Sequence, residues 1–251
     1  MISALVLAGT LRYQLAAGTV RRYDFSATFE GFIPILGGQE GKAEVALTVE
    51  VTGLAPAANG DSRAQPKISA AEIKFNGGKI PLSVETIAGF FPSGLVEFSP
   101  LGVSRPLAQP KPAPPFRLPG LDVNRLAELV FLPIEFSELD APQWTFNRMV
   151  GGSKQETLAQ ESDDRILLEQ TQLFQVMENE ALEVVTNPAD AVSDVSTRAL
   201  GKGWVRMDVK AGAMLGYELK TTATSTVKDR ASGKTSVREL KSVMKCSWVK
   251  D

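Results

Sequence analysis

From Leu11 onward the chain alternates apolar and polar residues with a period of two. Tyr23, Phe25, Ala27 and Phe29 fall on one side, and Asp24, Ser26, Thr28 and Glu30 on the other. Successive side chains of an extended backbone point to opposite faces, so this pattern predicts a half-buried strand. Residues 31–41, with Pro34 and the Gly37-Gly38 pair, read as a turn. Ala43, Val45, Leu47, Val49 and Val51 then repeat the alternation against Glu44, Thr48, Glu50 and Thr52. Residues 55–66 read as a loop by composition, and 68–75 and 79–84 flank Asn76-Gly77-Gly78. Asn-Gly tolerates the positive φ of a tight turn, which predicts a β-hairpin there. A short helix over 84–91, stopped by Pro92, and a strand over 95–98 complete the first half.

Seven prolines crowd residues 100–121. Proline fixes φ and removes a backbone donor, so neither a helix interior nor a central strand persists in such a stretch. The segment is an extended connector or a strap lying on the surface. Phe116 and Leu118 argue for the strap, because a solvated linker gains nothing from large apolar groups. Asp122 can cap a short helix carrying Val123, Leu126, Leu129 and Val130 at helical spacing, with Pro133 ending it. The second β half opens at Gln143-Trp144-Thr145-Phe146 and turns at Gly151-Gly152. Residues 164–185 are ambiguous between helix and strand, with strands favoured by their neighbours. Residues 187–202 read as a polar loop around Pro188. A long hairpin follows, with Val205, Met207 and Val209 turning at 210–212 into Leu215, Tyr217, Leu219, Thr221 and Ala223. The last strand sets Leu240, Met244, Cys246 and Trp248 on one face. The two halves, 11–99 and 122–251 around the connector 100–121, share a loose rhythm that suggests duplication within one composite domain.

Composition narrows the function classes. The chain of 251 residues is 43% hydrophobic and 22% charged, which is enough apolar material for a core and outside the range of disordered chains. A net charge of -2 offers no electrostatic reason to bind nucleic acid. The single cysteine excludes an intramolecular disulfide and any multi-thiolate metal site. The absence of histidine removes the commonest metal ligand, the usual general base near neutral pH and every histidine-dependent triad. No cofactor or metal site is implied. Residues 1–10 are apolar but too short to cross a bilayer. They read either as an edge strand or as the remnant of an export signal beginning upstream of Met1. The first reading leaves a cytoplasmic protein and the second a periplasmic or secreted one.

The short motifs weaken on inspection. Residues 37–42, GGQEGK, are one position short of a phosphate-binding loop and lead into a strand, with Ala43 where a hydroxyl should meet magnesium. Ser225 with Lys228, and Ser242 with Lys245, have the spacing of a serine nucleophile and lysine base. On a strand, residues three apart face opposite ways, so neither pair can meet. The acidic clusters at Asp163-Asp164, at Glu178, Glu180 and Glu183, and at Asp190 and Asp194 follow no calcium-loop pattern and read as a solvated face. Cys246 alternates with Met244 and Trp248 as a small hydrophobe would. Trp144, Trp204, Tyr217 and Trp248 are candidates to line a ligand cavity, with ordinary core packing as the alternative.

The opening LRYQLAAGTVRRYDFSATFEG, the LVEFSPLG element, the QWTF strand and the hairpin GWVRMDVKAGAMLGYELKTTATS resemble those of exported bacterial β proteins. More distantly they are similar to the periplasmic lipoprotein carriers and related lipid-binding proteins. The resemblance implies a mainly β (β-rich α+β) fold. Its curved antiparallel sheet or incomplete barrel would be built from two β halves, with a short helix and a proline-rich strap between them. It also implies an extracytoplasmic, non-enzymatic protein holding a hydrophobic ligand or lipid on a concave face. Phe116, Leu118, Trp144, Trp204, Tyr217 and Trp248 are the candidate contacts. The alternative is a structural or protein-interaction module of the cell envelope with a filled core and no ligand.

Overall fold

A computed structural model describes residues 11–34, 38–90, 94–106, 129–138, 141–149 and 152–250. The strands in chain order are β1 (Val20–Ile33), β2 (Gln39–Leu54), β3 (Ser62–Phe75), β4 (Gly78–Lys79), β5 (Val96–Phe98) and β6 (Ser104–Pro106). They continue as β7 (Gln143–Met149), β8 (Ser153–Ser162), β9 (Arg165–Glu178), β10 (Val184–Val185), β11 (Ser193–Asp208), β12 (Ala213–Asp229) and β13 (Thr235–Val249). A short helix, α1 (Val84–Phe90), lies between β4 and β5, and Ser83 caps it by accepting from the Thr86 N–H at 3.1 Å.

All the strands join one open antiparallel sheet in the order β6-β5-β3-β2-β1-β13-β12-β11-β9-β8-β7, with β4 beside β3 and β10 beside β9. The strand that opens the described chain therefore pairs with the one that closes it, with Phe25 opposite Cys246 and Ala27 opposite Met244. β6 and β7 are the two outer members of this order, so the proline-rich segment leaves the sheet at one edge and the chain rejoins it at the other.

Period-two alternation gives the sheet one buried face. A row running Leu47, Phe25, Cys246, Tyr217, Val205 and Ile166 crosses β2, β1, β13, β12, β11 and β9, and every member is buried. Two irregular segments cover this inner face at one end. Tyr13 stacks on Phe136 with ring centroids 4.9 Å apart, its N–H donates to the Pro100 carbonyl at 2.7 Å, and its hydroxyl donates to Ile134 O at 3.1 Å. The Phe136 N–H donates to Leu101 O in the β5–β6 turn at 2.8 Å, while the Trp144 indole N–H of β7 donates to Glu135 O at 3.0 Å. Opposite edges of the sheet are thus tied to adjacent residues of the 129–138 segment, which makes the curved sheet an incomplete barrel with that segment, distinct from the expected proline-rich strap at 100–121, as a strap across its gap.

Several boundaries differ from those the sequence predicts. Residues 193–202 are not a loop but the first part of β11. Their inward positions Thr197, Ala199 and Gly201 are small or hydroxylated, so the alternation in hydrophobicity is too shallow to register. β3 begins at Ser62, inside the expected loop, and accommodates Pro66 because β5 pairs only with Ser62, Arg63 and Ala64 on that side. The hairpin at Asn76-Gly77 forms, with φ of 47° and 80°, yet its return arm is Gly78–Lys79 and not 79–84, since Pro81 cannot extend the ladder. Residues 164–185 are strands β9 and β10. The expected N-terminal segment 1–10, the connector residues Phe116 and Leu118, and the helix start at Asp122 lie outside the described residues.

Candidate ligand cleft on the inner face

The inner face changes character along the strands. At the strap end it is aromatic and aliphatic, with Phe98 edge-on to Phe131 at 5.8 Å and Phe136 edge-on to Trp144 at 6.5 Å. Toward the middle, a cross-strand row of Phe29, Ser242, Thr221, Gly201, Gln170 and Glu156 turns polar. Ser242 Oγ and Thr221 Oγ1 are buried there without a hydrogen-bond partner among the described residues. Glu156 accepts from Gln170 at 2.7 Å and pairs with Lys154 at 3.0 Å.

Beyond this row, at the end away from the strap, lies a cleft of about 40 Å³. Its apolar walls are Phe32, Phe174, Val176, Leu182, Val184 and Val195. Leu182 enters from the turn between β9 and β10 with φ of 63°, a conformation that costs a bulky residue about 1–3 kcal/mol. Asn179 holds that turn by accepting from the Ala181 and Glu183 N–H groups, both at 2.9 Å. A Cβ at Gly38, whose φ is 70°, would collide with Leu182 and Phe32, so glycine there lets both side chains roof the cleft.

The cleft also holds charge. Arg238 Nη1 donates to Glu178 Oε2 at 2.7 Å, and the guanidinium lies 4.4 Å over the Phe32 ring. The two side chains are only 18% and 9% exposed, so the pair sits in a desolvated setting. Beside it, Thr197 and Ser225 share a hydroxyl–hydroxyl hydrogen bond of 2.8 Å. A second hollow of about 10 Å³ lies under Tyr13, Arg21 and Gly212. A volume of 40 Å³ holds a few waters or a small headgroup, well short of the roughly 300 Å³ at which pockets for drug-sized ligands begin.

The residues singled out from sequence divide by face. Tyr217 is buried on the inner face, Trp144 is half-buried there, and Trp248 is half-buried at the strap end between Arg21 at 5.4 Å and Lys250 at 4.8 Å. Trp204 alternates with inward Val205 and so lies on the outer face, 5.7 Å from the Arg165 guanidinium. None of the three tryptophans or Tyr217 lines the cleft. Glu178, expected with its acidic neighbours on a solvated face, is instead buried in step with Phe174 and Val176, and Arg238 is in step with Leu240 and Ser242; that shared inward parity is the signal in the sequence that could have marked the pair.

The serine–lysine pairs do not meet. Ser242 faces inward while Lys245 faces outward and pairs with Glu218 at 3.0 Å, and Ser225 bonds Thr197. The acidic residues are engaged singly, Asp164 by Arg206 and Asp194 by Arg230, each at 2.7 Å. Cys246 is buried, its thiol pushed up by desolvation and donating to Val130 O at 3.4 Å. Among the described residues no cluster of acidic or cysteine side chains could hold a metal ion, and no helix is long and apolar enough to cross a membrane.

No family model matches the chain, and no curated protein is significantly similar to it. Among solved structures it is similar in fold to one describing lipid–protein interactions in lipovitellin, with a TM-score of 0.52 and 11% identity. The match covers 94% of this chain and 26% of that one, so this chain spans about a quarter of the protein it resembles.

Proposed function

We propose that the protein is a non-enzymatic lipid-handling β module that receives a hydrophobic ligand or an acyl chain against the inner face of its open sheet. The carrying observation is the cleft at the end away from the strap: aliphatic and aromatic walls, a few polar groups, and a roof formed from a turn side chain held in a strained conformation. Such a combination of apolar lining and a small number of placed polar groups is the usual make-up of a small-molecule site. The fold-level likeness to lipovitellin supports the same direction. Arg238 and Glu178 neutralise each other and, among the described residues lining the cleft, no nucleophile stands beside a base, which supports binding rather than reaction.

The small volume, about 40 Å³, means that an acyl chain enters only as Leu182 and its turn move aside. The same number favours the second reading, a filled-core structural or protein-interaction module. Native mass spectrometry of gently purified protein separates the two. A lipid adduct that is lost on solvent extraction and restored by added acyl lipid is the expected result. A bare polypeptide mass that no added lipid changes would overturn the lipid reading in favour of the filled-core module.

A further inference from the structure

The charged groups of the cleft bear on which ligands it could hold. Arg238 and Glu178 reach it from β13 and β9, and the hydroxyls of Thr197 and Ser225 from β11 and β12. Arg238 and Glu178 cancel, and Glu239, which also lines the cleft but is exposed, adds a negative charge. Arg238 stacks on Phe32 and uses one N–H on Glu178, and a guanidinium carries five N–H donors in a planar fork. The Glu178 side chain is buried, so water does little to screen its charge. A ligand carboxylate drawn to Arg238 would place a second negative charge beside a buried one, and a ligand amine would do the same to the arginine. Either would leave one buried charge without its partner, which is the costly outcome for a desolvated ion pair. An uncharged headgroup meets no such penalty. Its ester oxygen accepts from the free edge of the guanidinium, and its hydroxyl donates to the carboxylate or joins the Thr197–Ser225 pair.

We infer that this cleft takes neutral, hydroxyl- or ester-headed lipids such as acylglycerols and discriminates against free fatty acids carrying the same chain. The inference rests on the lipid-handling reading above and deepens it. The specificity lies in Glu178, whose charge occupies the arginine that would otherwise attract a carboxylate.

The test compares monooleoylglycerol with oleate, two probes sharing one acyl chain, by calorimetric titration into the wild-type protein below their aggregation concentrations. Monooleoylglycerol is expected to bind at least about tenfold tighter, equivalent to about 1.4 kcal/mol. Glu178→Gln leaves Arg238 charged and unpaired, and should raise oleate affinity tenfold or more and invert the preference. The double variant Glu178→Gln/Arg238→Gln, neutral again, should restore it. Equal or tighter binding of oleate by the wild type would overturn the inference, as would a folded Glu178→Gln protein with unchanged preference. The wild-type comparison decides by itself should the single variant not fold. Binding of neither probe would instead count against the lipid-handling reading as a whole.

Discussion

Tyr13, Tyr23 and Tyr217 are the only tyrosines of the chain, and all three are buried on the inner side of the sheet. Desolvation raises each phenol above its ordinary value of about 10, Tyr23 to about 12. The sign of the linkage follows. A group whose pKa is higher in the folded state contributes stability that is complete below the unfolded value and is lost as pH rises through the folded one. The fold should therefore weaken between about pH 10 and 12, where the unfolded chain ionises and the folded chain does not. A spectrophotometric titration should show no phenolate near pH 10, then cooperative release of all three protons together with loss of near-ultraviolet ellipticity. Gradual release of one proton near pH 10 with the fold intact would contradict this burial. The identity of these residues was plain in the sequence, and the parity of Tyr23 and Tyr217 marked them as inward. Tyr13 carried no such mark, because it lies in an irregular segment whose contacts with Pro100 and Ile134 reach across the whole first half and into the second.

At the level of the element, β1 shows how one residue redirects a strand. Gly31 has φ of 119°, and a Cβ on it would strike the Glu239 carbonyl of β13. The kink that glycine permits there lets Phe32 lie over Arg238 and line the cleft. Gly31→Ala adds both a forbidden conformation and a backbone collision, so a loss of about 2–4 kcal/mol in urea unfolding is expected, centred on the β1–β13 pairing. A change below about 0.5 kcal/mol, the usual limit for a neutral surface substitution, would show that the kink is not held by glycine. Hairpins were the most legible elements, because Asn76-Gly77 and the 210–212 turn carry their own chemistry. β11 was legible only in part. Val205 and Met207 announce a strand, whereas the stretch from Ser193 to Lys202 becomes one because β9 and β12 flank it on both sides.

For the whole molecule, the decisive feature is that the two sheet edges share a strap. Phe136 stacks on Tyr13, meets Trp144 and bonds the β5–β6 turn, so it joins three parts of the chain at one point. Phe136→Ala should cost about 3–5 kcal/mol and accelerate amide exchange in β7 and β8 well before the β1–β13 centre. Uniform acceleration across the sheet would mean that the strap does not govern the edge. The sequence by itself determined the β class, most strand positions and the exclusion of histidine, disulfide and thiolate-metal chemistry, since these follow from local periodicity and residue counts. It also set the parity that turns Tyr217 and Cys246 inward, whereas Trp204, a candidate cavity residue by sequence, takes the outer face in the structure. Only the tertiary structure decided that β1 pairs with β13, that opposite edges meet on residues 129–138, and that Arg238 finds Glu178 sixty positions away. Those contacts depend on strand order and on curvature, and period-two alternation reports which face a side chain takes without reporting which strand lies beside it.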